Sequence, residues 1–322
     1  MTIRRTVLSL AALSLMTVTV VTSPVFASPT VTGTITVGDG PRSLAFSPNG
    51  KKAYVANLGA GTVSVITVKT GDVAAPITVG DGPYSVAFSP NGKKAYVTNS
   101  DEDTVSVITV ATGAVAAPIS VGDYPASVAF SPDGTTAYVA NYGHGTVSVI
   151  TVATGAVADP ITVGDSPVSV AFSPNGKKAY VANTGDDTVS VITVATGAVA
   201  ADTITVGDTP YSVAFSPNGK KAYVANLGAG TVSVITVKTG AVAAPITVGD
   251  GPVSVAFSPN GKKAYVTNSD DDTVSVITVA TGAVAAPITV GDYPVSVAFS
   301  PNGKKAYVAN YGHGTVSVIT PG

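Results

Sequence analysis

Few residues in this 322-residue chain can do chemistry, and they are unevenly placed. There is no cysteine, which excludes a disulfide, a thiolate metal site and a cysteine nucleophile. Glu102 is the only glutamate, Arg42 is the only arginine after residue 5, and His144 and His313 are the only histidines. The histidines occupy identical Asn-Tyr-Gly-His-Gly segments, 169 residues apart. Exposed turn histidines are predicted there, not a shared metal site. No nucleophile, histidine and acid stand in a pattern that suggests a catalytic relay. The runs Asp101–Asp103 and Asp270–Asp272 are rich in oxygen, as Ca²⁺ sites are. They lack the alternate spacing of a calcium loop, so solvated hairpin tips are predicted, with no metal and no cofactor.

What remains is recognition chemistry. Six tyrosines, Tyr84, Tyr124, Tyr142, Tyr211, Tyr293 and Tyr311, fall in or beside turns. Tyrosine offers large contact area, few rotatable bonds and a polar tip, and is enriched in binding surfaces for that reason. Seven aspartates (39, 81, 123, 165, 208, 250 and 292) stand in segments of the form Gly-Asp-x-Pro. Each could bond its own backbone in an Asx-turn, or the seven could form a ring around a ligand or cation.

These turns recur because the chain repeats. Ser-Pro-Asn-Gly begins at Ser47, Ser89, Ser173, Ser216, Ser258 and Ser300, and Ser-Pro-Asp-Gly at Ser131. Every spacing is 42 residues except one of 43. A period of this length, built only from strand-like segments, marks a β-propeller. The predicted fold class is all-β: a seven-bladed β-propeller of four-stranded antiparallel blades. Within residues 79–121 the strands read as Tyr84–Ser89, Lys94–Asn99, Thr104–Val110 and Ala114–Val121. They are apolar or small on both faces, as sheets buried between sheets must be. The last repeat stops after its third strand, Thr315–Thr320, and an orphan strand, Val31–Val37, precedes the first. Pairing the two completes the seventh blade and removes two open sheet edges. Asp202-Thr203 stands where other repeats have one proline, as at Pro76 and Pro118, which predicts a bulge in that outer strand. Residues 41–151 match 210–320 at all but 10 of 111 positions, so three repeats were copied as a block.

Tyr96-Val97-Thr98-Asn99 and Tyr265-Val266-Thr267-Asn268 carry the motif that names a family of propeller repeats. The other five copies read Tyr-Val-Ala-Asn, from Tyr54, Tyr138, Tyr180, Tyr223 and Tyr307. On these residues the chain resembles the YVTN family of β-propeller repeat proteins. That resemblance implies an exported bacterial or archaeal propeller of the surface or surface-layer type, with no single activity attached.

If the strand order of WD-repeat propellers carries over, the Gly-Asp-x-Pro and Asn-x-x-x-Thr turns share one face. The Ser-Pro-Asn-Gly and Thr-Gly turns share the other. Charge divides in the same way: all 14 lysines lie by the second set, and 15 of 19 acids lie in the first. The candidate ligand-binding residues are Tyr84, Tyr124, Tyr211, Tyr293, Arg42, Asp81, Asp123, Asp208 and Asp292, near the mouth of the central channel. A non-catalytic binding or scaffold protein is predicted, its ligand a glycan, a cell-wall polymer or a protein. A lactonase-like hydrolase and a polyanion binder acting through the lysine face are the alternatives. Nucleic acid is not expected, because no aromatics interleave the lysines to stack on bases. A monomer is expected.

Residues 1–27 read as a signal peptide, leaving 28–322 as the propeller. Arg4 and Arg5 precede the apolar stretch Val7–Val21, and Val25-Phe26-Ala27 is a small-x-small cleavage site. Secretion, or a periplasmic or cell-surface location, is expected, with no membrane-spanning segment once the signal is removed.

Overall fold

A computed structural model describes residues 28–322; the signal-peptide reading falls on residues outside these. Each repeat folds as one antiparallel sheet, and seven sheets form a ring. In the second blade Pro83–Phe88, Lys94–Asn99, Thr104–Thr109 and Ile119–Ser120 run in that order from the channel outward. The seventh blade is closed by the first strand, Thr30–Thr36, which pairs antiparallel with Thr315–Thr320 from Thr30↔Thr320 to Thr36↔Thr315. The predicted fold and its closure are therefore what the chain adopts.

The outermost strand differs from expectation. Instead of a continuous Ala114–Val121 strand, a single bridge, Ile108↔Val115, is followed by the two-residue strand Ile119–Ser120. Pro118 has no N–H to give the ladder, so pairing lapses before it and resumes after it. In the fourth blade the bridge grows into the short strand Ala198–Val199, and Ile204–Thr205 follows. Val189↔Ile204 keeps the register of Val147↔Ile161. The extra residue at Asp202-Thr203 is absorbed in the gap between these pieces, not in the predicted bulge.

The Tyr-Val-x-Asn residues are consumed by the architecture. Each motif tyrosine is buried and tilts against a phenylalanine of the next blade, with ring centroids 4.6–4.7 Å apart. Tyr307 meets Phe46 in the same way and closes the circle of seven pairs. Such a pair is worth about 1 kcal/mol beyond the area it buries. The motif asparagine ties its own blade together: Asn99 Nδ2 donates to Thr104 Oγ1 and Ser106 Oγ, both at 2.9 Å. The first glycine of each Gly-Asp pair lies on this asparagine; a Cβ at Gly122 would meet Asn141 Nδ2 at 2.5 Å.

A chain lacking residues 28–36 leaves Thr315–Thr320 as an unpaired edge. At about 1 kcal/mol per lost ladder bond, urea unfolding should show several kcal/mol less stability. Size-exclusion should show new oligomers as the open edge recruits other chains. An unchanged midpoint would mean that closure carries no weight.

Candidate binding face and channel

The innermost strands carry a β-bulge straight after their leading proline. Register shifts between Pro41 and Ser43, and at the same place in every blade. A bulge re-aims the extra side chain. Here it turns one residue per blade into the central cavity: Arg42, Tyr84, Ala126, Val168, Tyr211, Val253 and Val295. The following serine lines the cavity as well. Its Oγ accepts the backbone N–H of the next innermost strand, as in Val86 N→Ser43 Oγ at 3.3 Å and Leu44 N→Ser296 Oγ at 3.2 Å. All seven serines do this, forming a hydrogen-bonded hoop around the channel.

Within this near-sevenfold ring the bulge column brings a cation and phenols together. Arg42 lies over the ring of Tyr84, 4.3 Å from its centroid, and 5.3 Å from that of Tyr211 across the channel. Its Nη2 donates to Tyr84 Oη at 2.6 Å and also to Tyr211 Oη, and the two phenols bond each other. Burial pushes the Tyr211 phenol well above the ordinary tyrosine range; Tyr84 adds to the shift and the Arg42 cation opposes it. Among the described residues no carboxylate pairs with Arg42.

The residue before the proline forms a second column, on the rim. In every blade it is left-handed: Gly40, Gly82 and Gly251, but Tyr124, Ser166, Thr209 and Tyr293 at φ of 51–52°. Tyrosine there costs about 1–2 kcal/mol relative to glycine. The tyrosines grouped from sequence as flanking proline therefore separate. Tyr84 and Tyr211 enter the channel, whereas Tyr124 and Tyr293 stand on the rim, 39% and 46% exposed. Tyr124 bridges the two sets, its ring centroid 6.2 Å from that of Tyr84 and 5.7 Å from that of Tyr142. An aromatic track thus runs from Arg42 to the rim of the third blade. In the seventh blade Tyr293 meets Tyr311 at 6.1 Å, but Val253 stands where Tyr84 would continue the track.

The candidate carboxylates sit above this ring. Asp81, Asp123, Asp208 and Asp292 are exposed, and none bonds Arg42. The Asx-turn reading is not seen: no Gly-Asp carboxylate accepts a backbone N–H of its own turn. Instead Asp123 and Asp292 each pair with a histidine, His144 and His313, at 3.8 Å. The acidic runs are exposed turn tips as predicted at Asp101, Glu102, Asp270 and Asp271, but their last residues are engaged. Asp103 and Asp272 accept the backbone N–H of Tyr124 and Tyr293 at 2.8 Å, and so hold the next blade's strained turn. Among the described residues no three His, Asp or Glu side chains are placed to hold a metal ion.

Sequence reasoning missed the serine hoop. An alignment of the seven repeats would have shown it as an invariant column beside the Arg/Tyr/Ala/Val column. The larger clefts lie elsewhere. Those of about 480 and 420 Å³ lie against the outer strands, and those of about 560 and 500 Å³ open between lysine-bearing turns. None of the four contains Arg42 or a rim tyrosine.

A family model described as "Lactonase, 7-bladed beta-propeller" matches residues 72–201 and 162–287, together about two thirds of the chain. The overlap is what near-identical repeats allow. Tyr84, Tyr124 and Tyr211 fall within the match; Arg42 and Tyr293 fall outside it. Among solved structures, one described as Kuenenia stuttgartiensis hydrazine synthase is similar at 27% identity with a TM-score of 0.81. The similarity covers 89% of this chain and 97% of that one. No curated protein matches the sequence.

Burial raises the phenol of every motif tyrosine, that of Tyr265 to about 12. The unfolded chain ionises near 10, so between that value and the folded values it binds fewer protons than the native ring. Stability is then fully present below pH 10 and falls as pH rises above it. Alkaline titration should show phenolate absorbance from these tyrosines appearing together with loss of circular dichroism. Ionisation of all thirteen in a folded ring would contradict this.

Proposed function

We infer function from two facts: the chain belongs to the lactonase family of seven-bladed β-propellers, and the unlike residues of its ring gather at one mouth of the channel. The reading is a non-catalytic binding or surface-scaffold propeller that holds a ligand on its tyrosine- and aspartate-bearing face. Within propellers, its Tyr-Val-x-Asn motif supports reading it as one of the YVTN repeats. The observation that carries the reading is Tyr124 and Tyr293 in left-handed backbone where three sister blades use glycine. Ser166 and Thr209 bear the same strain, so it is the aromatic surface added at two such positions that supports a binding role. The ligand that fits best is a cell-wall glycan. Tyrosine rings such as Tyr124 and Tyr142 stack on the C–H faces of sugars, and carboxylates such as Asp123 and Asp292 accept their hydroxyls.

A hydrolase is the second reading, favoured by the family and by Arg42 with Tyr84 and Tyr211 as donors for a developing oxyanion. It also needs a base to activate water. Neither the His144–Asp123 pair nor the His313–Asp292 pair bonds this cluster.

Export with cleavage after Ala27 completes the proposal; mass spectrometry of the secreted fraction should find Ser28 first, and intact Met1 in cytosol alone would refute it. For the ligand, an array of glycans and wall fragments should be probed with wild type and the Tyr124→Gly/Tyr293→Gly double variant. The variant should be as stable as wild type or gain up to about 1 kcal/mol per site. It should lose about 2 kcal/mol of binding, roughly a thirtyfold drop. Equal binding by both proteins would reduce these tyrosines to turn ornament. Arg42-dependent turnover of lactones would establish the hydrolase.

A further inference from the structure

The rim reading leaves Arg42 unexplained: a half-buried cation in the channel with no acidic partner among the described residues. Burying such a charge is costly unless it is paired. We propose that the channel of this propeller is a receptor for a single carboxylate, held by Arg42 and by the one phenol O–H that the Tyr84–Tyr211 bond leaves free. This goes beyond the rim reading and stands without it.

The first support is the guanidinium. Both protons of Nη2 are engaged by the two tyrosines, leaving Nε–H and the two protons of Nη1 without acceptors among the described residues. Each edge by which arginine grips an anion in parallel bonds includes Nη2, so these three donors reach a carboxylate singly, as separate charge-assisted bonds.

The second is the rest of the lining. The serine Oγ atoms already accept a backbone N–H, so what they have left to offer includes their O–H protons. The remaining lining is methyl groups, such as those of Val168 and Val253. No lining side chain bears a carboxylate, and a lining of cation, hydroxyls and methyls favours an anion over a cation.

The third is size and charge. The cavity is about 100 Å³, roughly three waters' share of liquid. That admits a carboxylate but not a sugar ring. One cation neutralises one charge; a phosphate dianion would leave a second charge desolvated, and the acidic rim above repels it further. A carboxylate could come from a free small acid, or from an acidic sugar whose ring rests on the Tyr84–Tyr124 track while its carboxylate reaches Arg42.

The test titrates the full chain with sodium acetate, acetamide, sodium phosphate, glucuronate and glucose, at constant ionic strength. The readouts are ultraviolet difference absorbance of tyrosine and calorimetry. Acetate should give a saturable tyrosine signal that acetamide does not. Arg42→Gln should weaken acetate at least tenfold while retaining the circular dichroism of wild type, and Arg42→Lys should fall between them. If Arg42→Gln does not fold, Arg42→Lys serves instead: it keeps the charge, removes the planar guanidinium and should weaken acetate severalfold. Glucuronate binding more tightly than acetate, with the excess lost in Tyr124→Gly, would assign the carboxylate to an acidic sugar. Acetate and glucuronate binding alike would assign it to a free acid. Equal responses to acetate and acetamide, no saturable acetate signal, phosphate binding more tightly than acetate, or acetate binding unaffected in Arg42→Gln or Arg42→Lys would overturn the proposal.

Discussion

Everything in this molecule depends on seven blade-to-blade seams being interchangeable and closing on themselves. The chain turns back on its start without a covalent link. The seam between the last blade and the first must therefore be as good as the six formed along the chain. It is: Tyr307 on Phe46 and Leu44 N–H on Ser296 repeat the contacts made at every other seam. The pairing of Thr30–Thr36 with Thr315–Thr320 then fastens the ring from outside. Any residue of a seam is effectively fixed by six others like it, which explains why the tyrosine, phenylalanine and serine columns do not vary among the copies.

Function must then live in columns the seams do not use. Two such columns meet at one mouth of the channel. The bulge column projects inward because a β-bulge breaks the alternation of its strand. The rim column is left-handed because the chain must reverse before each leading proline. Variation is cheap in the first and costly in the second. The rim tyrosines are informative for the aromatic surface they add, since Ser166 and Thr209 bear the same penalty. Block copying placed the same rim group on the third and seventh blades. Only the third connects to the channel, because Tyr84 stands where Val253 stands in the sixth.

The two faces are electrostatically opposite, but their charges also have structural work. On the lysine face several side chains reach the next blade: Lys305 Nζ donates to Val68 O at 2.8 Å and Lys94 Nζ to Val152 O at 3.1 Å. On the acidic face Asp103 and Asp272 secure the neighbouring turn. Charge patterning along the sequence therefore overstates how much of either face is free to bind.

The period of 42, the orphan strand at each end and the apolar strands on both faces sufficed to establish the number of blades, the closure and the division of charge. Those features are local or periodic, and seven copies report them seven times. The outer strand is interrupted because a proline in five of the blades outweighs the β-branched residues around it. The partners of individual side chains were not legible. Arg42 and Tyr211 are 169 residues apart and meet only because a ring brings its first and fifth blades across one narrow channel. Tyr84 and Tyr124 looked equivalent beside proline, yet standing after it puts the first on a bulge and standing before it puts the second in a left-handed turn. Sequence by itself determined the ring, because repetition dictates it. Only the tertiary structure decided which residues share its centre, because closure sets those distances and no local pattern encodes them.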